Sequence, residues 1–378
     1  MRVGFAGTPV RAFKALWAGR SSNRPEDLIE YSSSLKLKLF DFSEETLNLA
    51  ERDLTDIESL GFTSKQASQF RHLAQLAKVG GVNLTLTVSP RIVLSTPDPT
   101  THSKAVTRLR SLWAVAGALR CALLAIPPGY THGSPNSSLN RLERALDLLE
   151  LDKDAAPTVG IEVNGRGLGT VEMASKLCKR PGVVPVINIA ECIPRSQRER
   201  LETHLEALFE FAVEHSNEQP IWIRYCAYNH RVPAPISEGW PIFRRVAKAI
   251  RRFEEDSSRE TCVLIESPRR ELDAILFSSY YHLLGSAGED VDNLSVEELV
   301  KAGAPKVIDV GSRVLLQDIS RREQLSYVIV EPGHADPFTA RISYESPIGR
   351  SLLGKESGSL VEIAAPGGNY VYEIVDIS

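Results

Sequence analysis

The feature of this sequence that most restricts its fold is a regular alternation of short apolar runs with longer segments of helical spacing. Eight apolar runs occur in the first 285 residues, at 2–7, 37–42, 83–88, 121–126, 158–163, 183–189, 221–228 and 261–266. Segments such as 140–151 and 199–214 lie between them and repeat their apolar residues with a helical period. Strands that alternate with helices build parallel sheets, because each helix returns the chain to the same end of the sheet.

The composition and number of these runs select among the parallel folds. The runs are mostly apolar, which is typical of strands that are buried on both faces. Eight repeats predict a closed (β/α)₈ TIM barrel over residues 1–285, whose last helix covers 271–284. A doubly wound open sheet is the alternative fold.

A second domain is predicted after the barrel, because the pattern changes there. Residues 286–304 indicate a polar linker followed by a short helix, which Ser295 caps with Glu298 at the capping-box position. Residues 305–378 contain five short alternating runs separated by turn signals such as Pro332-Gly333. They predict a small antiparallel β domain with one helical turn at 347–353.

Charge and cysteine content exclude several classes of function. The 378 residues carry a formal net charge of -4, so no polybasic coat for nucleic acid exists and such binding is expected to be weak. The five cysteines have no CxxC spacing, which argues against a zinc knuckle or a thioredoxin-like site. No run is long enough to span a bilayer, and the start has no signal-peptide pattern. We therefore expect a cytoplasmic protein; the oligomeric state is left open.

Candidate catalytic residues are sought at the carboxyl ends of the barrel strands, where this fold places its chemistry. Glu162 and Glu266 end the fifth and eighth runs, and Asn188 and Glu191 follow the sixth. Carboxylates in such a mouth hold a divalent metal or serve as acid and base. Glu162, Glu266 and Glu191 are thus candidate catalytic residues, and the same three with Asn188 are candidate ligands for Zn, Mn or Mg.

Phosphate or nucleic-acid contacts are predicted at the same mouth. Glu162 is followed by a glycine-rich turn, 165–169, whose backbone N–H groups would face an anion ahead of the next helix. A tight strand-to-helix turn is the alternative explanation of this motif. The candidate contacts are Arg166, Gly167, Arg224 and His230.

The barrel sequence resembles a known superfamily at four strand ends. The matching stretches are VGFAGTP at 3–9, AIPPGY at 125–130, IEVNGRGLG at 161–169 and IESP at 265–268. They resemble the endonuclease IV and xylose isomerase-like superfamily, especially its archaeal endonuclease IV-like branch. The resemblance implies a barrel that cleaves DNA beside abasic sites with zinc ions held by histidines and carboxylates.

The sequence departs from that family at most of the implied zinc ligands. Only Glu162 and Glu266 match the family in residue type. The other ligand positions are occupied by Val88, Pro127, Asn188, Glu191, Arg224, Arg231 and Pro233. Of the eight histidines only His132 and His230 lie near strand ends. A histidine-based zinc cluster is therefore not expected.

Residues 305–378 resemble a second family through several motifs that match it in order and spacing. These are ISYESPIGR at 342–350, LLGK at 352–355, VEIAAPGG at 361–368 and YEI at 372–374. They resemble the C-terminal, FKBP-like domain of the bacterial Gre transcript-cleavage factors. The resemblance implies docking on RNA polymerase at the rim of its secondary channel, with Ser346, Pro347, Arg350 and Lys355 as docking candidates. A reused β module with another partner is the alternative.

Two functions follow as hypotheses from different classes. The first is a transcription-associated or repair-coupling adaptor that binds RNA polymerase through the Gre-like domain and carries a degenerate, non-catalytic barrel. The Gre factors act through an N-terminal coiled coil, and no heptad run exists here, so stimulation of transcript cleavage is not expected. The rival is an enzyme: a metal-dependent phosphodiesterase of the abasic-endonuclease type with a reduced site, or a sugar isomerase.

Overall fold

The structure is a computed structural model that describes residues 1–6, 24–149, 151, 157–229, 232–285, 288–303, 308–319, 323–365 and 368–377. These residues form two compact units. The first comprises residues 1–6 and 24–303, and the second comprises residues 308–377. Within the described residues, no helix is both long enough and apolar enough to cross a membrane.

The first unit is a closed parallel barrel of eight strands. A small antiparallel hairpin, β8 and β9, follows the seventh strand. The strands are β1 (Arg2–Ala6), β2 (Leu39–Phe42), β3 (Asn83–Thr87), β4 (Leu123–Ile126), β5 (Thr158–Val163), β6 (Val183–Asn188), β7 (Ile221–Tyr225), β8 (Ala227–Asn229), β9 (Val232–Ala234) and β10 (Thr261–Ile265). The order β1-β10-β7-β6-β5-β4-β3-β2 closes where β1 pairs with β2. The predicted barrel is confirmed, and the doubly wound alternative is wrong.

Helices cover the barrel, and local sequence sets where many of them begin. They are α1 (Pro25–Ser34), α2 (Glu51–Leu60), α3 (Ser64–Gly80), α4 (Pro99–Ala118), α5 (Pro135–Asp147), α6 (Val171–Leu177), α7 (Ile189–Cys192), α8 (Leu201–His215), α9 (Phe243–Ser257), α10 (Arg270–Leu284) and α11 (Val296–Gly303). The side chains of Asp98 and Ser134 cap α4 and α5, each with proline at the first helical position. The predicted helix at 140–151 begins five residues earlier, because Pro135 starts it.

The short helix α11 belongs to the barrel unit. Ser295 and Glu298 form the predicted capping box at its start, with the Ser295 N–H donating to Glu298 Oε2 at 2.7 Å. The Ser279 hydroxyl of α10 donates to the Leu299 carbonyl at 2.6 Å. Leu299 is fully buried. The described part of the segment predicted as a linker, 288–303, is therefore packed structure of the first unit.

Alternate strand residues fill the barrel interior, as a period of two requires. The interior cluster includes Leu39, Leu123, Val186, Trp222 and Leu264. Room for these larger side chains comes from two glycines. A Cβ on Gly4 of β1 would lie 2.0 Å from the Leu39 carbonyl oxygen, and one on Gly160 of β5 would lie 2.4 Å from Val186. Small and large residues on neighbouring strands thus interdigitate in one layer.

The second unit is a five-stranded sheet with one short helix. Its elements are β11 (Arg313–Asp318), β12 (Gln324–Val330), β13 (Arg341–Ser343), α12 (Pro347–Leu352), β14 (Leu360–Ala365) and β15 (Gly368–Ile377). The sheet order is β13-β12-β11-β15-β14, and its pairs are antiparallel except β12 with β13. Leu316, Ile329, Leu352, Ile363 and Ile374 share the core of this unit.

Replacing Gly4 by alanine is predicted to destabilise the barrel, whereas the same change at Gly117 is not. The new methyl group at residue 4 would meet the β2 backbone, so we expect Gly4→Ala to lower the free energy of unfolding by about 1–3 kcal/mol. Gly117 is exposed in α4 with no atom within 4 Å of the added Cβ. Gly117→Ala should raise the stability by about 0.5–1 kcal/mol. Urea denaturation followed by circular dichroism measures both, and equal effects would contradict the packing argument.

Candidate functional site

The inward register of the strands places charged residues at the carboxyl end of the barrel. Three strands carry a buried apolar residue of the interior layer followed two positions later by a charged one. The pairs are Leu39 and Asp41, Trp222 and Arg224, and Leu264 and Glu266. Because side chains two residues apart point to the same face of a strand, all three charges lie above the apolar layer, at the mouth of the barrel.

Arg224 lies at the centre of this mouth and is 6% exposed. Its Nη1 atom is 3.1 Å from Glu266 Oε1 and 3.5 Å from Glu162 Oε2. Its Nη2 atom donates to Asp41 Oδ2 at 3.2 Å. One guanidinium therefore contacts three carboxylates that come from three different strand ends. We name Asp41, Glu162, Glu266 and Arg224 the mouth cluster.

Neutral hydrogen-bonding groups hold the carboxylates of the mouth cluster in place. The hydroxyl groups of Thr85 and Thr87 donate to the two oxygens of Asp41, at 2.6 and 2.7 Å. Thr87 also accepts from Arg224 Nη2. The Asn188 amide donates to Glu162 Oε1 at 3.0 Å. Charge-assisted bonds of this kind fix both position and orientation in a region with little water.

Burial sets the protonation of the groups around the mouth. Burial raises the pKa of Glu266; Arg224 opposes this rise by attraction, and the carboxylates of Asp41 and Glu162 reinforce it. Burial also raises the pKa of the Cys192 and Cys226 thiols to about 12. Since the thiolate is the nucleophilic form of cysteine, a raised pKa disfavours nucleophilic reactivity of these two thiols.

Glu191 lies in α7 and forms an ion pair outside the mouth cluster. Its Oε2 atom is 2.8 Å from the Nη2 of Arg166, whose side chain is 67% exposed. The Glu191 backbone N–H donates to Asn188 Oδ1 at 3.4 Å. The structure thus brings Glu162 and Glu266 together around Arg224, and it pairs Glu191 with Arg166 instead.

The residues at the mouth do not fit the zinc cluster that the resemblance to endonuclease IV implies. No group of three histidine, cysteine, aspartate or glutamate side chains is arranged to hold a metal ion within the described ranges. The carboxylate oxygens of Glu162 and Glu266 face the Arg224 guanidinium. A fixed positive charge among the oxygen donors opposes a second cation at the same place.

Two of the predicted phosphate contacts, Arg166 and Gly167, lie in the glycine-rich turn after β5. Gly167 has a positive φ of 51°, and the turn packs against Gly129, whose carbonyl accepts from the Leu168 N–H at 3.4 Å. The Asn164 and Gly165 N–H groups donate to the Gly169 carbonyl, and the Arg166 N–H to the Asn164 side chain. The motif therefore forms the tight strand-to-helix turn that was the alternative explanation.

The other two predicted phosphate contacts are Arg224 and His230. Arg224 is buried against carboxylates, and this arrangement does not support a phosphate contact by its guanidinium. The phosphate contact of Arg224 therefore stays a prediction. His230 lies outside the described residues.

Three residues of the mouth were not selected from the sequence as site residues. They are Asp41, Thr85 and Thr87. The sequence contains a signal for Asp41. Asp41 and Arg224 are single charges of opposite sign inside the apolar strands LFDF and IWIRY. A lone charge in a strand that is buried on both faces needs a partner, so the two could have been paired.

Comparison with known proteins gives a family for the second unit. Residues 303–378 match the family described as transcription elongation factor, GreA/GreB, C-term. The chain carries a GreA/GreB C-terminal domain. Similar curated proteins include the transcription elongation factor GreA of Thermosipho africanus, 42% identical over 84 residues, which are 22% of this chain and 54% of that protein. GreA of Clostridium botulinum is 42% identical over 72 residues, 19% of this chain and 45% of that protein. The chain spans about half the length of these relatives.

Solved structures similar to the barrel include three proteins of one architecture. SacUVDE has a TM-score of 0.53 at 13% identity, covering 75% of this chain and 98% of its own. Endonuclease IV from Thermus thermophilus has a TM-score of 0.50 at 17% identity, with 72% and 95% covered. D-psicose 3-epimerase from Clostridium cellulolyticum has a TM-score of 0.51 at 13% identity, with 80% and 96% covered. At these identities the likeness shows the TIM-barrel fold and nothing finer.

Removing Arg224 is predicted to destabilise the protein far more than removing Arg166. Arg224→Met leaves three carboxylates of the barrel mouth without their cation, so we expect a loss of about 3–5 kcal/mol in the free energy of unfolding. Arg166→Met breaks an exposed pair and should cost at most about 1 kcal/mol. Chemical denaturation at pH 7 measures both variants. Similar losses for the two variants would show that the mouth cluster does not stabilise the barrel.

Proposed function

We propose that this chain is a transcription-associated adaptor that binds RNA polymerase through residues 305–378 and carries a non-catalytic barrel. The observation that supports it is the match of the second unit to the GreA/GreB C-terminal family. The relatives that share this domain carry the printed name of transcription elongation factors. Since the chain spans only about half of their length, the inference of polymerase binding rests on this domain alone.

The surface of the domain supports a docking role for its short helix. Ser346 caps α12 by accepting from the Gly349 N–H at 3.0 Å, and Pro347 is its first residue. Pro347, Arg350 and Lys355 are exposed. A capped helix start with a neighbouring pair of cations suits a partner surface that is acidic and firmly structured.

The barrel supports the non-catalytic part of the proposal through its mouth cluster. Groups that catalyse must reach a substrate, and Asp41, Glu162 and Glu266 all contact the Arg224 guanidinium instead. Thr85, Thr87 and Asn188 use further oxygens of Asp41 and Glu162. Ion pairs and hydrogen bonds among neighbouring side chains are typical of a structural network.

Polymerase binding is tested with charge reversal on the docking helix. The full chain should bind core RNA polymerase of its own organism at physiological salt. Arg350→Glu with Lys355→Glu should weaken this binding at least about tenfold, because two favourable charge contacts become repulsive. Arg313→Glu, an exposed reversal elsewhere in the same domain, is the matched control. Biolayer interferometry measures the three affinities. Absence of binding by the unaltered chain would contradict the proposal.

The rival function is a metal-dependent phosphodiesterase of the abasic-endonuclease type, or a sugar isomerase. The barrel likeness to endonuclease IV and to an epimerase favours testing it. On the adaptor proposal, metal analysis of the purified chain finds substoichiometric Zn, Mn and Mg, and abasic duplex DNA is not nicked with any of them added. Nicking that Glu162→Gln abolishes would establish the enzyme instead.

A further inference from the structure

A groove of about 550 Å³ lies between α8 and α9 on the outside of the barrel. Its floor is apolar and is lined by Phe209 and Val213 of α8 and by Ala249 and Phe253 of α9. The Phe209 and Phe253 rings lie 4.9 Å apart. The charged residues that also line it are mostly acids: Glu206, Glu210, Glu214, Asp256 and the cation Arg252. We name this feature the α8–α9 groove.

The two helices are joined by matched charges at their N-terminal ends. Arg245 of α9 donates from Nε to Glu202 Oε1 of α8 at 2.6 Å, and from Nη1 to the Arg198 carbonyl at 3.0 Å. The groove lies further along both helices and begins one turn after Glu202, at Glu206. The charges between α8 and α9 are therefore balanced at one end, and the groove is at the other.

The acids of the groove lack such partners. Within the described ranges, four charged residues of the groove form no ion pair: Glu206, Glu210, Arg252 and Asp256. Glu214 has one contact of this kind, 4.0 Å from His215 Nδ1. All four acids are exposed, and with one arginine they give the groove a formal charge of -3. Their charges are available to a partner that approaches the groove.

The positions of these acids work against the stability of the helices that carry them. Glu206, Glu210 and Glu214 follow one another at intervals of four on α8, and like charges at that spacing repel. Glu214 and Asp256 lie in the last turns of α8 and α9, where the helix dipole disfavours negative charge. Apolar surface rimmed by charges that oppose the stability of their own helices is typical of a binding surface.

We propose that the α8–α9 groove binds a cationic amphipathic helix of a partner protein. The acids Glu206 to Glu214 cover two turns, about 12 Å along α8. A helix of about three turns presents lysine or arginine at the same spacing of four residues, opposite these acids. Its apolar side chains at i, i+3, i+4 and i+7 face the floor of the groove. Charge complementarity selects a cationic helix over an acidic one.

The floor of the groove provides the contacts that an apolar stripe needs. Val213 and Phe253 are half-buried, so covering them removes further apolar surface from water. Phe209 beneath them is 1% exposed and supports the Phe253 ring. Aromatic residues in a pocket that excludes water contribute most strongly to binding at interfaces. The apolar floor thus supplies affinity, and the acidic rim supplies the choice of partner.

The experiment measures binding of a designed helix to the full chain. The probe is a fluorescein-labelled 18-residue peptide of leucine and lysine, with leucine at i, i+3, i+4 and i+7. By fluorescence anisotropy at physiological salt, the unaltered chain should bind it in the micromolar range. A peptide of the same composition in scrambled order should bind at least about tenfold more weakly, because its apolar and cationic faces are mixed.

Charge reversal in the groove identifies the binding surface. Glu210→Lys with Glu214→Lys should weaken binding of the helix at least about tenfold. Glu172→Lys with Glu297→Lys reverses two exposed acids elsewhere on the first unit and is the matched control, which should retain the affinity. The groove variant should unfold at the same or a higher temperature than the unaltered chain. It removes repulsion with Glu206 and places positive charge at the end of α8.

Three results would overturn the proposal. The first is equal affinity of the groove variant and the control variant for the helix. The second is equal binding of the ordered and scrambled peptides by the unaltered chain. The third is a dimer of the unaltered chain, seen by light scattering, that the groove variant dissociates, because a second copy would then occupy the groove. None of these measurements involves polymerase, so this inference stands or falls independently of the adaptor function.

Discussion

The ion pairs of Arg224 inside the barrel mouth are the interaction on which the architecture of the first unit depends. A closed barrel converges eight strand ends on one small volume, and charges that are buried there need partners of opposite sign. Here three carboxylates and one guanidinium meet, and threonine and asparagine side chains use further oxygens. Because Arg224 belongs to β7, its contacts with the carboxylates of the other strand ends form only when the barrel closes.

The apolar layer below the mouth depends on the same strand register. Leu39, Leu123 and Val186 pack where Gly4 and Gly160 have no side chains. A shift of one residue in any of these strands would exchange inward and outward residues and expose the charges. Apolar packing and the charge network therefore specify one register together, although neither would do so alone.

The two units relate to function in different ways. The GreA/GreB domain is recognised from contiguous motifs, because its short helix and turns are local structures with short sequence signatures. The barrel is similar in fold to SacUVDE, endonuclease IV and an epimerase, and this likeness gives the fold alone. A fold hosts many functions, so the mouth cluster informs the function of this barrel more than the overall likeness does.

The sequence by itself determined the alternation of strands and helices, the eightfold repeat, the change to short strands after the barrel, and the carboxylates Glu162 and Glu266 at strand ends. These are consequences of period and order along the chain, which local residues encode. Only the tertiary structure decided that Arg224 contacts those carboxylates, that Asp41 joins them, and that Glu191 pairs with Arg166 outside the cluster. Asp41 and Arg224 are 183 residues apart. Their contact arises from closure of the barrel, which sets strand order in space, and no local pattern records which of several strand-end charges will then meet.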